Sequence, residues 1–465
     1  MLITAATNKI NNNTSFISVK TQLYELLRLC LPLMLSALSG TLMIFLDRII
    51  LAKYNTQAMN AAITAANIVF IFHFTAISIA MIAEVFVGQS NGASQFKSIG
   101  KPVWQMIWFS IFSGIIMIPI GLFGGPWFLP MELLAEGEPY FCWMMIFGPT
   151  FPLVAALSAF FIGRKKVRIV TALIVLGNIL HLIIALILVF GIPSLIEPMG
   201  TQGAAIATGI SETCIALGLF FIFLNARNRT NFHSHHWKFD YKVFLKCIHV
   251  ALPNAFGHMI ATSAWATLMC LLAKKSLEHI TVITIGLSIW MLFSFVTDAL
   301  QKGVSALAAN SIGAKEYYKI KKILKTGILL QCLLSLLLAI PLVIFPELLV
   351  NFFIPLEGEM SDITHLRELI TLSCYWLWVA FLFDGMAWVV DGILTAAGDT
   401  RFVMFMNSIG TWLLCILPVY MLVVIFEGSP IMTLQIITVF CLILFFSYYL
   451  RYKSNRWKQI ALISY

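Results

Sequence analysis

The stretch 31-LPLMLSALSGTLMIFLDRIILA-52 decides the fold class of this chain. It is long enough to cross a bilayer, which takes about 20 mostly apolar residues in an α-helix. Yet it carries two charged side chains, Asp47 and Arg48. A charge at the centre of a membrane helix costs on the order of 2.5–3.5 kcal/mol even on the mildest scale. The stretch therefore predicts a spanning helix that retains a costly acid for a reason.

The composition of the whole chain agrees with a membrane protein. Of its 465 residues, 60% are hydrophobic and 11% are charged, whereas soluble domains contain about 25% charged residues. The first residues are polar and lack the apolar core of a signal peptide, so we expect the chain to start in the cytoplasm. Nine single cysteines without a CxxC pair suggest neither a zinc site nor a disulfide framework.

Twelve apolar runs follow one another along the chain, and each is continuous. A transmembrane barrel would instead show segments of about ten residues with alternating polarity. We therefore predict an all-α polytopic membrane protein. The predicted spans are 22–52, 60–88, 101–124, 138–163, 168–191, 202–225, 242–272, 281–309, 319–345, 366–395, 401–426 and 430–452.

The basic residues of the loops orient these spans. With the N-terminus in the cytoplasm, 22 of the 30 Lys and Arg fall on cytoplasmic segments, and only Lys53, Lys274 and Lys275 fall on the opposite loops. Such an excess of basic residues marks the cytoplasmic side. We predict that both termini are cytoplasmic and that the protein lies in the inner or plasma membrane. Topology thus explains the net charge of +9, and no nucleic-acid partner is expected.

An internal repeat divides the spans into two halves. A shift of 221 residues aligns 31–101 with 252–322 without a gap and places "SNGA" on "SIGA". Six spans per half make the halves parallel repeats, a recurrent transporter design with the substrate site between them. We predict twelve transmembrane helices in two pseudo-symmetric six-helix lobes. The predicted segments are a cytoplasmic N-terminal segment 1–21, an N-lobe 22–225, a cytoplasmic linker 226–241, a C-lobe 242–452 and a cytoplasmic tail 453–465.

Three further short motifs accompany the opening stretch. "VGQSNGA" (87–93) closes the second span, "MGTQGAAIATGISE" (199–212) opens the sixth, and "DGILTAAGDTRFVMFMNSIGTW" (391–412) joins the tenth to the eleventh. Together they resemble the multidrug and toxic compound extrusion (MATE) family over nearly all of 22–450. The resemblance implies an antiporter that exports organic, often cationic, compounds in exchange for H⁺ or Na⁺ by alternating access. We expect a monomer in the lipid bilayer.

The resemblance also implies site residues. The family's first-span acid falls on Asp47, and the tenth-span acid of several members falls on Asp384. Two positions depart from the family pattern. The acid that many members carry in the seventh span is replaced by Ala261, and the fifth span offers Asn178 and His181 where one branch has an acid. The choice between H⁺ and Na⁺ therefore stays open.

Asp47 is the first candidate for ion coupling. A carboxylate in a partly wet cavity can take a proton on one side of the membrane and release it on the other. The alternative is a structural hydrogen bond to a neighbouring span. Under the 221-residue shift Asp47 falls on Leu268, so the acid does not belong to the duplicated scaffold.

The tenth span offers a second group of candidates. Asp384, Trp388 and Asp391 recur at helical spacing and share one face. Two carboxylates and an aromatic ring suit a flat organic cation through charge and cation–π attraction, and they equally suit a proton or Na⁺. The alternative for Asp391 is a cap or a bridge to Arg401.

Two further pairs lie inside spans. His73 and Glu84 are eleven residues apart on one predicted helix, so they share a face and could relay protons; the alternative is a hydrogen-bonded structural histidine. Asp298 and Lys302 have the i,i+4 spacing of an internal ion pair. Such a pair would leave Gln301 free to face the cavity.

Other functional classes find less support. HExxH, GxSxG and Walker sequences are absent, so we expect neither an enzyme nor a cofactor, and no metal apart from Na⁺ at Asp384 and Asp391. The alternative is a flippase or exporter of lipid-linked or other endogenous metabolites from the same superfamily. Acids inside the spans outnumber central basic residues, which favours cationic cargo. These acids are Asp47, Glu84, Glu212, Asp298, Asp384 and Asp391.

Overall fold

The computed structural model describes residues 2–353, 360–460 and 462, with side chains for 21–353, 364–460 and 462. The predicted segment 1–21 therefore lies almost wholly outside the described side chains. Among the described residues, twelve helical stretches are long and apolar enough to cross a membrane. The twelve predicted spans and the all-α class are confirmed.

In the first half of the chain, some membrane spans consist of two consecutive helices, such as α2 and α3. They are α1 Leu2–Tyr54, α2 Thr56–Ala80, α3 Ala83–Gly92, α4 Gly100–Phe123, α5 Gly125–Phe128, α6 Leu134–Ile146, α7 Thr150–Gly163, α8 Val167–Phe190, α9 Gly200–Phe223 and α10 Ala226–Phe232. Those of the second half are α11 Tyr241–Lys275, α12 Leu277–Gly313, α13 Tyr317–Ala339, α14 Pro346–Phe353, α15 Met360–Ala397, α16 Thr400–Phe405, α17 Leu417–Val419 and α18 Pro430–Lys453.

The second span is interrupted between α2 and α3. There the N–H of Ile82 donates to the carbonyl of Ile79, three residues back instead of four. The N–H of Glu84 donates to Met81 in the same way. Three-residue turns rotate the chain more per residue than an α-helix does. His73 and Glu84 therefore do not lie on one uninterrupted helix, and their shared face stays a prediction.

The eleventh span contains three π-helical segments around α17. They are Met406–Gly410, Trp412–Ile416 and Tyr420–Ile425. π-helical turns are rare overall, but those that occur are often found at functional sites. They change the register of this span relative to an α-helix, and the first of them contains Asn407.

Four helix ends share one turn geometry. In each, a residue with a positive φ follows the helix, and the next N–H donates to the carbonyl five residues back. This is the hydrogen bond of the Schellman cap. The positive-φ residues are Ser94, Lys165, Lys315 and Gly398. Ser94 and Lys315 lie 221 residues apart, so the turn repeats at the spacing of the sequence repeat.

The chain forms two compact units. The C-unit consists of the start of α1 through Met34, Gly257–Ile312 and Glu316–Ala461. The N-unit consists of Leu35–Phe256 with Gly313–Lys315 and, among the described residues at the end of the chain, Leu462. Five predicted site residues belong to each. The N-unit contains Asp47, His73, Glu84, Asn178 and His181, and the C-unit contains Asp298, Gln301, Asp384, Trp388 and Asp391.

Close packing of α8 against α9 fixes one side of the N-unit site. Ser211 on α9 donates its hydroxyl to the Gly177 carbonyl of α8 at 2.6 Å. A Cβ added at Gly203 would lie 2.7 Å from the backbone carbon of Leu188. Since backbone atoms cannot move aside as a side chain can, only glycine allows this approach.

Candidate functional site

Asp47 and His181 meet in the N-unit, where α1 lies beside α8. His181 Nε2 lies 2.7 Å from Asp47 Oδ1. The histidine side chain is fully buried, whereas 17% of the Asp47 side chain is exposed. Within the described residues, His181 Nδ1 has no hydrogen-bond partner. An imidazole and a carboxylate in contact can hold and release a proton as one unit.

Polar groups surround this pair. The Asn178 side-chain amide donates to Ser39 Oγ at 2.8 Å, which ties α8 to α1 a second time. Glu212 on α9 lies within electrostatic range of His181. Tyr140 on α6 interacts electrostatically with both charges of the opening stretch. The sequence did not single out Ser39 or Tyr140; polar atoms inside apolar spans were the available signal.

A cavity adjoins the pair. Its volume is about 270 Å³, close to the lower end for small-molecule sites. The walls come from α1 and α8 and are mostly apolar, with Met43, Leu46 and Ile179 among them. Asn178 and His181 add polar atoms to the wall. The cavity suits an apolar body with a polar or charged group that reaches the pair.

His73 and Glu84 lie elsewhere in the N-unit. The His73 ring is buried and stacks on Phe151, with 4.2 Å between centroids. A Cβ at Gly148 would lie 3.2 Å from His73 Nε2, so the ring packs against the break between α6 and α7. Glu84 is buried at the start of α3, where its carbonyl approaches Gly163. A proton relay between them stays a prediction.

In the C-unit, Asp391 on α15 accepts two hydrogen bonds. The amide of Gln301 donates to Oδ2 at 2.6 Å, and the hydroxyl of Thr395 donates to Oδ1 at 3.2 Å. Gln301 is therefore not free to face a cavity, which corrects that expectation. The motif aspartate Asp399 binds Arg451 through two hydrogen bonds of 2.7 and 3.0 Å.

Asp384 lies on the same helix and binds its own neighbour. The indole N–H of Trp388 donates to Asp384 Oδ2 at 3.0 Å. The His258 ring on α11 lies nearly parallel to the Trp388 ring, at 6.4 Å between centroids and 10°. Asp384, Trp388 and His258 thus form one charged, aromatic group.

Asp298 and Lys302 do not form the expected ion pair. Within the described residues, no hydrogen bond or ion pair joins them, and Asp298 is exposed. Asp298 lies within electrostatic range of both Lys302 and Asp384.

A small void lies beside Asp391. Its volume is about 10 Å³, close to the space of one water molecule. Asn407 and Tyr448 contribute polar groups to its wall, and the Tyr448 hydroxyl donates to Asn407 Oδ1 at 3.0 Å. The sequence analysis missed both residues, although an asparagine in an apolar span was a usable signal.

Comparisons with known proteins agree on one family. The MatE family model matches residues 32–187 and 253–421. The probable multidrug resistance protein NorM of Thermotoga maritima is 22% identical over 404 residues, with 83% of each chain covered.

Solved structures show the same fold. The MATE transporter VcmN of Vibrio cholerae superimposes with a TM-score of 0.83 at 14% identity, over 95% of this chain and 100% of that one. A MOP superfamily transporter from Pyrococcus furiosus, described as having a binding pocket of reverse polarity, gives 0.79 at 15% identity over 93% and 96%.

Proposed function

Because the chain belongs to the MatE family, whose members are multi-pass membrane transporters and not enzymes, we propose that it exports organic cations in exchange for H⁺ or Na⁺. The contact of Asp47 with His181 beside the 270 Å³ cavity carries this proposal. A cationic substrate in the cavity is attracted by the carboxylate. Protonation of the pair cancels that attraction, so proton and substrate compete for one group.

The type of ligand atom bears on the coupling ion. An imidazole nitrogen takes a proton, whereas hard cations prefer oxygen ligands. The N-unit pair therefore favours H⁺. Asp384 and Asp391 in the C-unit offer carboxylate oxygens, which suit either H⁺ or Na⁺.

The proposed lobes and membrane orientation of the transporter are inferred from the sequence. Two six-helix lobes alternate access between the two sides of the inner or plasma membrane, with both termini cytoplasmic and the protein acting as a monomer. The excess of basic residues on one set of loops supports this orientation. The lobes of this proposal are 22–225 and 242–452.

A second candidate is an exporter of lipid-linked or other endogenous metabolites. The exposed Arg48 beside Asp47 favours it, since a positive charge suits an anionic headgroup. The acids of both units favour a cation instead.

The deciding experiment is transport in proteoliposomes under imposed gradients. With a pH gradient alone and with a Na⁺ gradient alone, we expect at least one to drive an ethidium-like cation, and Asp47→Asn to stop H⁺-driven transport. Glu347→Gln, an exposed residue outside both sites, is the matched control. If neither gradient drives the cation while an anionic lipid-linked sugar is moved, the second candidate replaces the first.

A further inference from the structure

The connection between α10 and α11 is held against α4 by side-chain hydrogen bonds. The indole N–H of Trp104 donates to the Ser234 carbonyl at 2.7 Å. The indole of Trp108, one turn further, donates to the Trp237 carbonyl at 2.8 Å. Two tryptophans of one helix thus fix the backbone of this connection at two points.

Gln105 and Lys101 add further contacts on the same helix. The Gln105 amide donates to the Lys238 carbonyl at 3.2 Å and accepts from the Asp240 N–H at 3.0 Å. Lys101 forms an ion pair with Asp240 at 2.7 Å. The connection is therefore a fixed surface of the N-unit, with the Lys238 side chain left exposed.

This surface exposes large aromatic rings. Trp237 is 61% exposed and Phe239 is 45% exposed, and their rings contact Trp108 and Phe112 at 6.2 and 5.9 Å between centroids. Ile115, one turn further along α4, is also exposed. The exposed rings continue the lipid-facing side of the third span, and tryptophan is enriched where a bilayer meets water.

The same surface carries a surplus of positive charge. Asp240 is the only acid in 226–246, and Lys101 neutralises it. Basic residues beside a spanning helix attract anionic lipid headgroups. The basic residues here are Arg227, Arg229, Lys238, Lys242 and Lys246.

We propose that residues 227–246 bind an anionic phospholipid at the membrane face that carries them. Lys238 and Lys242 contact the headgroup phosphate, and Trp237 and Phe239 lie at the level of the glycerol and upper acyl chains. Lipid is favoured as the occupant because the exposed aromatic rings are continuous with a membrane-facing helix side. This goes beyond drug export and does not depend on it.

Native mass spectrometry of the full-length protein, titrated with phosphatidylglycerol or phosphatidylcholine, tests the proposal. Each basic residue near an anionic surface strengthens binding roughly fivefold. We expect Lys238→Gln and Lys242→Gln each to raise the apparent Kd for phosphatidylglycerol by about fivefold, and their combination by about 25-fold. Trp237→Ala is expected to weaken both lipids.

Lys321→Gln combined with Lys453→Gln removes two exposed charges far along the chain and is the matched control, expected to leave the phosphatidylglycerol bound at this site unchanged. Thermal unfolding in detergent verifies that each variant is folded, and the two single variants serve if the double variant is not. Unchanged binding in the lysine variants would overturn the proposal. So would displacement of the lipid by millimolar inorganic phosphate, since the ligand would then be a free anion.

Discussion

The His181 imidazole and the Asp47 carboxylate lie 2.7 Å apart although 134 residues separate them in sequence. The contact joins α8 to α1 and supplies the acid of the opening stretch with a specific partner. A buried charge without such a partner would be costly. The same hydrogen bond is therefore expected to serve both transport and stability. Substitutions of Asp47 and His181 can separate the two contributions.

Replacing either residue of this pair is expected to affect transport differently. Asp47→Asn removes the charge and the exchangeable proton, so H⁺-driven efflux should stop. His181→Gln keeps a hydrogen-bond donor to the carboxylate but cannot titrate, so efflux should continue at a reduced rate and lose the part of its pH dependence that the imidazole supplies.

Efflux rates at several external pH values, with Met43→Leu as a control in the cavity wall, measure both effects. A His181→Gln variant with the wild-type pH profile would show that the histidine does not participate in coupling.

Gln301 is expected to position Asp391. Gln301→Leu removes the 2.6 Å hydrogen bond and leaves a buried carboxylate with the Thr395 hydroxyl alone. We expect Na⁺- or H⁺-driven transport to fall about tenfold, since a hydrogen bond to a charged group contributes about 1.5 kcal/mol or more. Gln301→Asn, which keeps the amide on a shorter side chain, should recover part of the activity. Equal transport activity in the wild type, Gln301→Leu and Gln301→Asn would contradict a positioning role for Gln301.

Two glycines with opposite surroundings test the packing of α8 against α9. A Cβ at Gly203 would meet the backbone of Leu188, whereas none of the atoms near Gly40 lies within 4 Å of its added Cβ. Gly203→Ala should destabilise the protein by about 1–3 kcal/mol. Gly40→Ala should be neutral or stabilising, because alanine is the better helix former. Thermal unfolding midpoints in detergent compare the two, and a Gly203→Ala midpoint at or above that of Gly40→Ala would be the contrary result.

The Asp240 carboxylate gives the connection before α11 a defined pH dependence. The hydrogen bond from Lys101 holds the pKa of Asp240 below its usual value. A lowered folded pKa means that the stabilisation is complete above the unfolded pKa, about 3.9, and is lost as the pH falls through the folded value. The protection of the 234–240 amides from hydrogen exchange, relative to the intrinsic exchange rate at each pH, should therefore stay high near neutral pH and fall only in strong acid.

Asp240→Asn removes the titrating group. Its 234–240 amides should be less protected at neutral pH, and their protection should not fall further in acid. The Lys238→Gln variant, whose carbonyl still accepts from Gln105, is the matched control. A connection that loosens already between pH 7 and 5 would contradict the assignment to Asp240.

The sequence predicted the membrane spans far better than it predicted the contacts of the candidate site residues. Twelve runs were recognisable because the bilayer imposes the same length and apolarity on each. His73 and Glu84 were expected on one uninterrupted helix because the tighter turns after Ala80 left no mark on the hydropathy pattern. The partner of Asp47 could not be read from spacing, since it comes from another helix.

The sequence by itself determined the all-α class, the twelve spans and the acids retained within them, because lipid penalises every polar group and leaves a strong compositional record. Only the tertiary structure decided which of those acids has a partner. It joined Asp47 to His181 and Asp391 to Gln301, and it left Asp298 without an ion pair to Lys302 among the described residues. Partner choice depends on how helices rotate and approach, and close contacts at positions such as Gly177 and Gly203 set that approach. Hydropathy records the depth of a residue in the membrane but not the direction in which its side chain meets a neighbour.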